Sequence, residues 1–225
     1  FKQNDWITAP DSYLDGETIC YEQEFDLAPL SPLFCAGMGL PEDKPIFRKQ
    51  VGRMPTLAIS FSELGAVSER RTYFFMKGVE GKFPPFVTKT PGVESGYMIA
   101  HVTASALASE NKTLAYPASV DSLPTSGGQE DHVCMAPWAG KKLLQIQHNL
   151  RHILAVELIV AGAANQIASP NLQPGKGTEA VLKILTSVCK YQKGDRVLSG
   201  EIESIAEKIQ SGELVNTVMN QLSLE

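Results

Sequence analysis

The sequence shows no closely spaced cysteine pair, no run of basic residues and no visible secretory signal, and the first two absences each argue against a class of protein. Its four cysteines, Cys20, Cys35, Cys134 and Cys189, are scattered, with no CxxC spacing. That argues against a disulfide framework or a zinc ribbon and for free thiols in a reducing, cytoplasmic setting. A net charge of −5, with no Lys/Arg cluster, argues against nucleic acid as the main partner, because phosphate recognition needs a concentrated basic face. The longest nearly uncharged apolar run, 153–167, contains Glu157, Gly162, Asn165 and Gln166. It reads as too short and too polar to cross a bilayer. What remains is an ordinary globular composition, 43% hydrophobic and 20% charged over 225 residues, enough for one sizeable core or two small ones.

Residues 1–50 carry prolines at 10, 29, 32, 41 and 45 and hold no period of 2 or 3.6, so they read as an irregular N-terminal segment. From residue 51 onward the chain reads as helical. Leu57, Phe61 and Leu64 recur at helical spacing from Met54, and Pro55 sits where a first turn tolerates it. A breaker-rich connection, GVEGKFPPFVTKTPG, leads to a second helix within GYMIAHVTASALASENKTLA. The longest element spans 131 to about 168, with Leu143, Ile146, Leu150, Leu154, Leu158 and Ala161 as its stripe. At about 1.5 Å per residue it would reach roughly 57 Å, more than a small monomer buries, so part of it is expected to pack against other chains. Pro137 implies a kink unless the helix begins near it. Two shorter helices are expected over about 177–192 and 201–221, with Gly200 and Gly212 as punctuation. The class is all-α.

Chemistry-bearing groups concentrate in PASVDSLPTSGGQEDHV, 117–133, which runs from a polar loop into the long helix. Glu130 and Asp131 at a helix start are explained by capping and the macrodipole, and a pocket acid is the functional alternative. His132 reads as a packed or capping imidazole, with acid/base work as its alternative. His148 and His152 stand i, i+4 without a third ligand, so no metal site is expected. Cys134 reads as a small buried residue, or as a thiol activated by a helix N-terminus. Glu110 and Lys112 read as structural ion-pair or hydrogen-bonding groups near a subunit interface, and Arg70 and Arg71 as packing and interface charges, with substrate-carboxylate binding as their alternative.

Three segments, SELGAVSERR (62–71), 84–135 and KKLLQIQHNLRHILAVELIVA (141–161), together resemble the C-terminal half of the aromatic amino-acid ammonia-lyases, nearest to the histidine type. The signature lies in their order: a Pro-Pro-Phe connection, Ser-Gly-Tyr-Met-Ile-Ala, SENK, PASVDSLPTS, QEDHV, then the long helix. The resemblance implies a long-helix bundle of the ammonia-lyase/fumarase-like type, assembled as a homotetramer whose sites draw on several subunits. It implies non-oxidative loss of ammonia from an aromatic amino acid, histidine to urocanate, on a methylidene-imidazolone electrophile that the protein makes from Ala-Ser-Gly. Carried over residue by residue, Glu130 is the catalytic pocket acid. Gln129 is a substrate-side hydrogen-bonding group, with His132 and, more remotely, Phe47 in PIFRK beside it.

The electrophile's triad is absent. Ser-Gly occurs at 95–96, 126–127, 199–200 and 211–212, never after Ala. Also missing are the family's Gln-x-x-Tyr-Ser-Leu-Arg and Gly-Gly-Asn-Phe-His-Gly segments and its tyrosine base. Gly127-Gly128 stands where the family often has Ala-Asn. The chain begins at Phe1 rather than Met. Two expectations follow. The chain is a C-terminal portion or subunit, inactive alone, whose electrophile comes from another segment; or it is a lyase-derived oligomerisation module without catalysis.

Overall fold

The structure, a computed structural model, describes residues 54–130, 133, 135–168, 173–191 and 194–222. The expected irregular segment over 1–50, Phe47 included, lies outside the described residues. Six α-helices appear among the described residues: α1 (Met54–Lys77), α2 (Met98–Leu114), α3 (Ala136–Ala168), α4 (Lys176–Val188), α5 (Ser199–Gln210) and α6 (Glu213–Leu222). Among the described residues there is no strand, only three isolated bridges. The chain divides into two compact units.

The described part of the first unit comes from 54–62 and 111–147. Its core joins Met54 and Ala58 of α1, Ala118, and Ala136, Ala139, Leu143 and Ile146 of α3. The α3 spacings of three, four and three put those side chains on one helical face. The helix starts at Ala136 rather than Asp131, which corrects the expected boundary. Pro137 is therefore its second residue, where a missing N–H costs nothing, and no kink is needed.

The second unit takes 63–110 and 148–225. Ala100, Ala104 and Ala108 line α2 at every fourth residue, each at most 5% exposed. Their small side chains suit close packing beside the wide buried stripe of Ile153, Val156, Ile159, Val160 and Ala163 in the same core. Near the C-terminus α4 packs on α6 and α5. The single helix expected over 201–221 is in fact two, because Gly212 takes φ 75 and breaks it after Gln210. Gly200, expected as punctuation, lies in the first turn of α5.

Within α3 an 18-residue apolar window reaches a mean hydropathy of 1.2, so by length and composition alone the helix could cross a membrane. That corrects the reading from 153–167 alone. Half of the apolar window is buried inside the protein, and Lys142, Gln147 and Asn149 are buried along the helix, as in a core helix.

The connection 78–97 is held by unusual backbone. Phe86 and Val87 adopt φ 57 and 52, a left-handed pair of non-glycine residues, costing about 1–2 kcal/mol each. The Phe86 carbonyl accepts the Tyr97 N–H at 3.1 Å. The Asp195 carboxylate accepts the N–H groups of Ser95 and Gly96 at 2.9 Å each, and those bonds lower its pKa. Gly96 itself has φ 57, and a Cβ there would lie 2.4 Å from the Phe86 oxygen. Gly96→Ala is expected to lower stability by about 2–3 kcal/mol, since backbone must move and the left-handed conformation becomes strained. A thermal melt compared with wild type measures it.

Candidate functional site

The loop between α2 and α3 is shaped by its own backbone and by one buried lysine. After Pro117 a 310 turn, Ala118–Val120, buries Ala118. Farther on, Ser122 Oγ accepts the Val133 N–H at 2.9 Å. Thr125 and Glu130 pair as an antiparallel bridge, with N···O distances of 2.9 and 3.3 Å. Ser126, Gly127 and Gly128 turn between them at φ 54, 66 and 89. The Glu130 carboxylate accepts the Thr125 hydroxyl and lies 3.5 Å from Ser126 Oγ.

Glu130 therefore sits in the loop, not on a helical first turn, and α3 has no acid in its first turn. The expected macrodipole role for this carboxylate is replaced by a local one: it latches its own turn. Gln129 is exposed and Glu130 half-buried. Asp131, His132 and Cys134 lie outside the described residues.

Lys142 went unnoticed in the sequence, as the second lysine of a KK pair. It is 8% exposed, and its ammonium donates to the Tyr116 carbonyl just beyond α2. Burial lowers its pKa. The Trp138 ring centroid lies 5.9 Å from its Nζ. The bond ties the start of the loop to the second turn of α3. Lys142→Ala is expected to cost about 1.5–3 kcal/mol, the range for a hydrogen bond from a charged donor. Lys142→Met should recover part of this by keeping the stem, as urea denaturation would show.

Charged residues of the second unit pair internally. Glu69, 5% exposed, receives Arg70 Nε and Nη2 at 2.5 Å, Ser105 Oγ at 2.7 Å and His101 Nε2 at 2.8 Å. The Arg70 hydrogen bonds do most to hold its carboxyl down at about 2. Ser, His and Glu meet here without forming a nucleophile relay. Ser105 and His101 Nε2 both bond the same Glu69 oxygen, whereas a relay needs the acid on the opposite ring nitrogen.

Arg71 reaches both Glu157 oxygens, and Ser68 Oγ donates to one at 2.5 Å. Glu110 accepts Asn149 Nδ2 at 2.9 Å. Arg70, Arg71 and Glu110 thus each bond a neighbour within this unit. The His148 and His152 rings lie 4.4 Å apart. His152 Nε2 meets Glu203 at 2.9 Å. Burial, then the neighbouring His152 and Arg151, lowers the pKa of His148. Among the described residues no group of three or more His, Cys, Asp or Glu could hold a metal ion.

The loop motifs and the long helices that flank them recur together in known proteins. The sequence model of one family, described as aromatic amino acid lyase, matches residues 50–187. This chain belongs to that family. It is 47% identical to histidine ammonia-lyase of Shewanella oneidensis over 151 residues, 67% of this chain and 29% of the relative. It is 47% identical to histidine ammonia-lyase of Burkholderia cenocepacia over 153 residues, 68% of this chain and 30% of the relative.

Among solved structures, histidine ammonia-lyase from Trypanosoma cruzi superposes with a TM-score of 0.72 at 34% identity, covering 80% of this chain and 37% of that one. Tyrosine aminomutase from Streptomyces globisporus gives 0.72 at 26% identity, covering 81% and 36%. The fold is thus the helical bundle of the lyases and aminomutases. The chain spans about three-tenths of the length of the curated lyases it matches.

The residues present do not fit the aromatic lyases' prosthetic group. None of the four Ser-Gly steps follows alanine. Ser199-Gly200 lies in the first turn of α5. Gly212, of Ser211-Gly212, donates its N–H to Ile209 at 3.2 Å in the link between α5 and α6. At Ser95-Gly96 both N–H groups are held by Asp195. At Ser126-Gly127 the preceding Thr125 carbonyl already accepts Gly128 and Glu130 N–H groups, inside the bridged turn.

Proposed function

We propose that this chain is the C-terminal portion of a histidine-type ammonia-lyase, supplying one wall of an active site that another polypeptide segment completes. The observation that carries the reading is the 47% identity to histidine ammonia-lyases over about three-tenths of their length. In this reading Glu130 presents its carboxylate to the ammonium or ring of an aromatic amino acid, and Gln129 hydrogen-bonds beside it. Thr125 holds the carboxylate in place before substrate arrives, so less orientation has to be lost on binding. The electrophile and the proton-abstracting base would come from the other segment. His132 and Phe47 remain candidate substrate neighbours by resemblance alone.

Histidine is preferred over phenylalanine or tyrosine because the curated relatives named above are histidine ammonia-lyases and the loop carries QEDH. The purified chain with L-histidine is expected to form no urocanate. Turnover by this chain alone would overturn the assignment of the electrophile to another segment.

Assembly into a tetramer is part of the proposal. Phe74, Ile99 and Val102 of the second unit are 56, 62 and 53% exposed, apolar surface that an oligomer would cover. Light scattering is expected to show a multimer, and a monodisperse monomer would contradict it. A second reading, a non-catalytic oligomerisation module, is favoured by the missing Ala-Ser-Gly. It predicts assembly without any gain of activity when an electrophile-bearing segment is added.

A further inference from the structure

The second unit contains a cavity of about 210 Å3 that the lyase reading does not use. An apolar cavity of about 150 Å3 takes benzene, so this one has room for a compact organic molecule somewhat larger. Its apolar wall is made by Val87 from the connection before α2 and by Ala163 and Ile167 of α3. Its polar groups are of both signs, Glu94 and Arg196, with Lys89 exposed at the rim.

The hydrogen bonds leave capacity at each end. Arg196 spends Nε and Nη2 on Glu201, at 3.1 and 3.0 Å, and Nη2 also on the Tyr97 hydroxyl at 3.2 Å. Its Nη1 makes no hydrogen bond to a described residue. The Glu94 carboxylate accepts the Thr88 hydroxyl, which leaves most of its lone pairs unused. Tyr191 also lines the cavity, with its hydroxyl buried against Gly162 and without an oxygen or nitrogen partner among the described residues. Gly162 makes room for this ring, since a Cβ there would lie 2.3 Å from the hydroxyl.

Charge balance decides the class of ligand. Glu94 and Glu201 offset Arg196 and Lys89, and the adjacent Asp195 carboxylate is held by the Ser95 and Gly96 N–H groups, so a phosphate dianion would meet no excess of positive charge and a lone cation would leave Arg196 Nη1 unmatched. A molecule with one charge of each sign fits. We propose that this cavity binds a small free α-amino acid with an apolar side chain. Its ammonium lies on Glu94, its carboxylate on Arg196 Nη1 with Lys89 at the rim, and its side chain on Val87, Ala163 and Ile167. This inference stands on the second unit alone and does not depend on the role given to Glu130.

The test is calorimetric titration of the 225-residue chain with L-valine, with isobutyrate and isobutylamine as analogues lacking one charged end. Saturable one-to-one binding of L-valine is expected, with each analogue at least ten-fold weaker. Glu94→Gln should weaken L-valine binding at least ten-fold while keeping a neutral bond to Thr88. Gln166→Trp, at an exposed rim position, should block entry and serves if the first variant does not fold. Glu130→Gln should leave binding unchanged. The proposal is overturned if L-valine does not saturate the folded chain, or if either analogue binds equally well. It is also overturned if neither cavity variant alters binding, or if only Glu130→Gln does.

Discussion

Glu130→Gln is expected to lower kcat at least about 100-fold in an enzyme reconstituted from this chain and a lyase segment bearing Ala-Ser-Gly. The variant keeps the size and shape of the side chain and removes only its charge. Positioned acid or base groups contribute about 10²–10⁴ in rate, and a carboxylate facing a substrate ammonium acts at the reacting end of the molecule. The structure adds a graded companion. The Thr125 hydroxyl bonds this carboxylate, so Thr125→Ala should cost only a few-fold, because it loosens the group without removing it. Steady-state kinetics on the two variants separate the roles. Equal losses would make the bridged turn, rather than the charge, the feature that matters.

A large and pH-dependent stability effect is expected at Glu69. Its carboxyl is held at about 2, against an ordinary 4.5, and each pKa unit corresponds to about 1.4 kcal/mol. The Arg70 side chain is 62% exposed, which screens part of the attraction, so the expected loss for Glu69→Gln at pH 7 is about 2–3 kcal/mol. The pH dependence has a definite sign. A depressed carboxyl stabilises the fold above pH 4.5 and loses that contribution as pH falls toward 2. The gap between wild type and Glu69→Gln in urea denaturation should therefore narrow steadily between about pH 5 and 2. A gap that stays constant over that range would show that the charge of Glu69 is not what stabilises the cluster.

Sequence reading recovers these helices where one periodic stripe decides the matter. Helical recurrence and Pro55 place α1, but the Leu57-Phe61-Leu64 stripe misses its buried face, since Leu64 is 43% exposed while Met54, Ala58, Ser62 and Ser68 are buried. The helix α3 is visible from the recurrence of Leu143, Ile146 and Leu150. The start of α3 is misplaced because Gln129-Glu130-Asp131-His132 looks like a capped helix terminus. Pro137 held the better clue, since proline is comfortable only in the first turn. Gly212 marks the break between α5 and α6, but a glycine inside an apolar period signals a break only once its φ is known.

The candidate loop is legible from the order of its motifs, whereas the direction of the Glu130 carboxylate depends on the Thr125 bridge. The Glu69 cluster joins partners 32 and 36 residues away on another helix. Lys142 finds its acceptor 26 residues back. Pairings of that kind carry no local pattern, and neither does a cavity walled by three separate segments.

The central claim is that this chain supplies one wall of a lyase site and needs an electrophile from elsewhere. Its most direct test uses the part of the Shewanella oneidensis histidine ammonia-lyase that precedes the matched region, co-expressed with this chain. Urocanate formation from L-histidine is then measured for each polypeptide alone and for the purified complex. The account predicts urocanate from the complex and from neither part by itself. Urocanate from this chain alone, or a stable and folded complex that forms none, would contradict it.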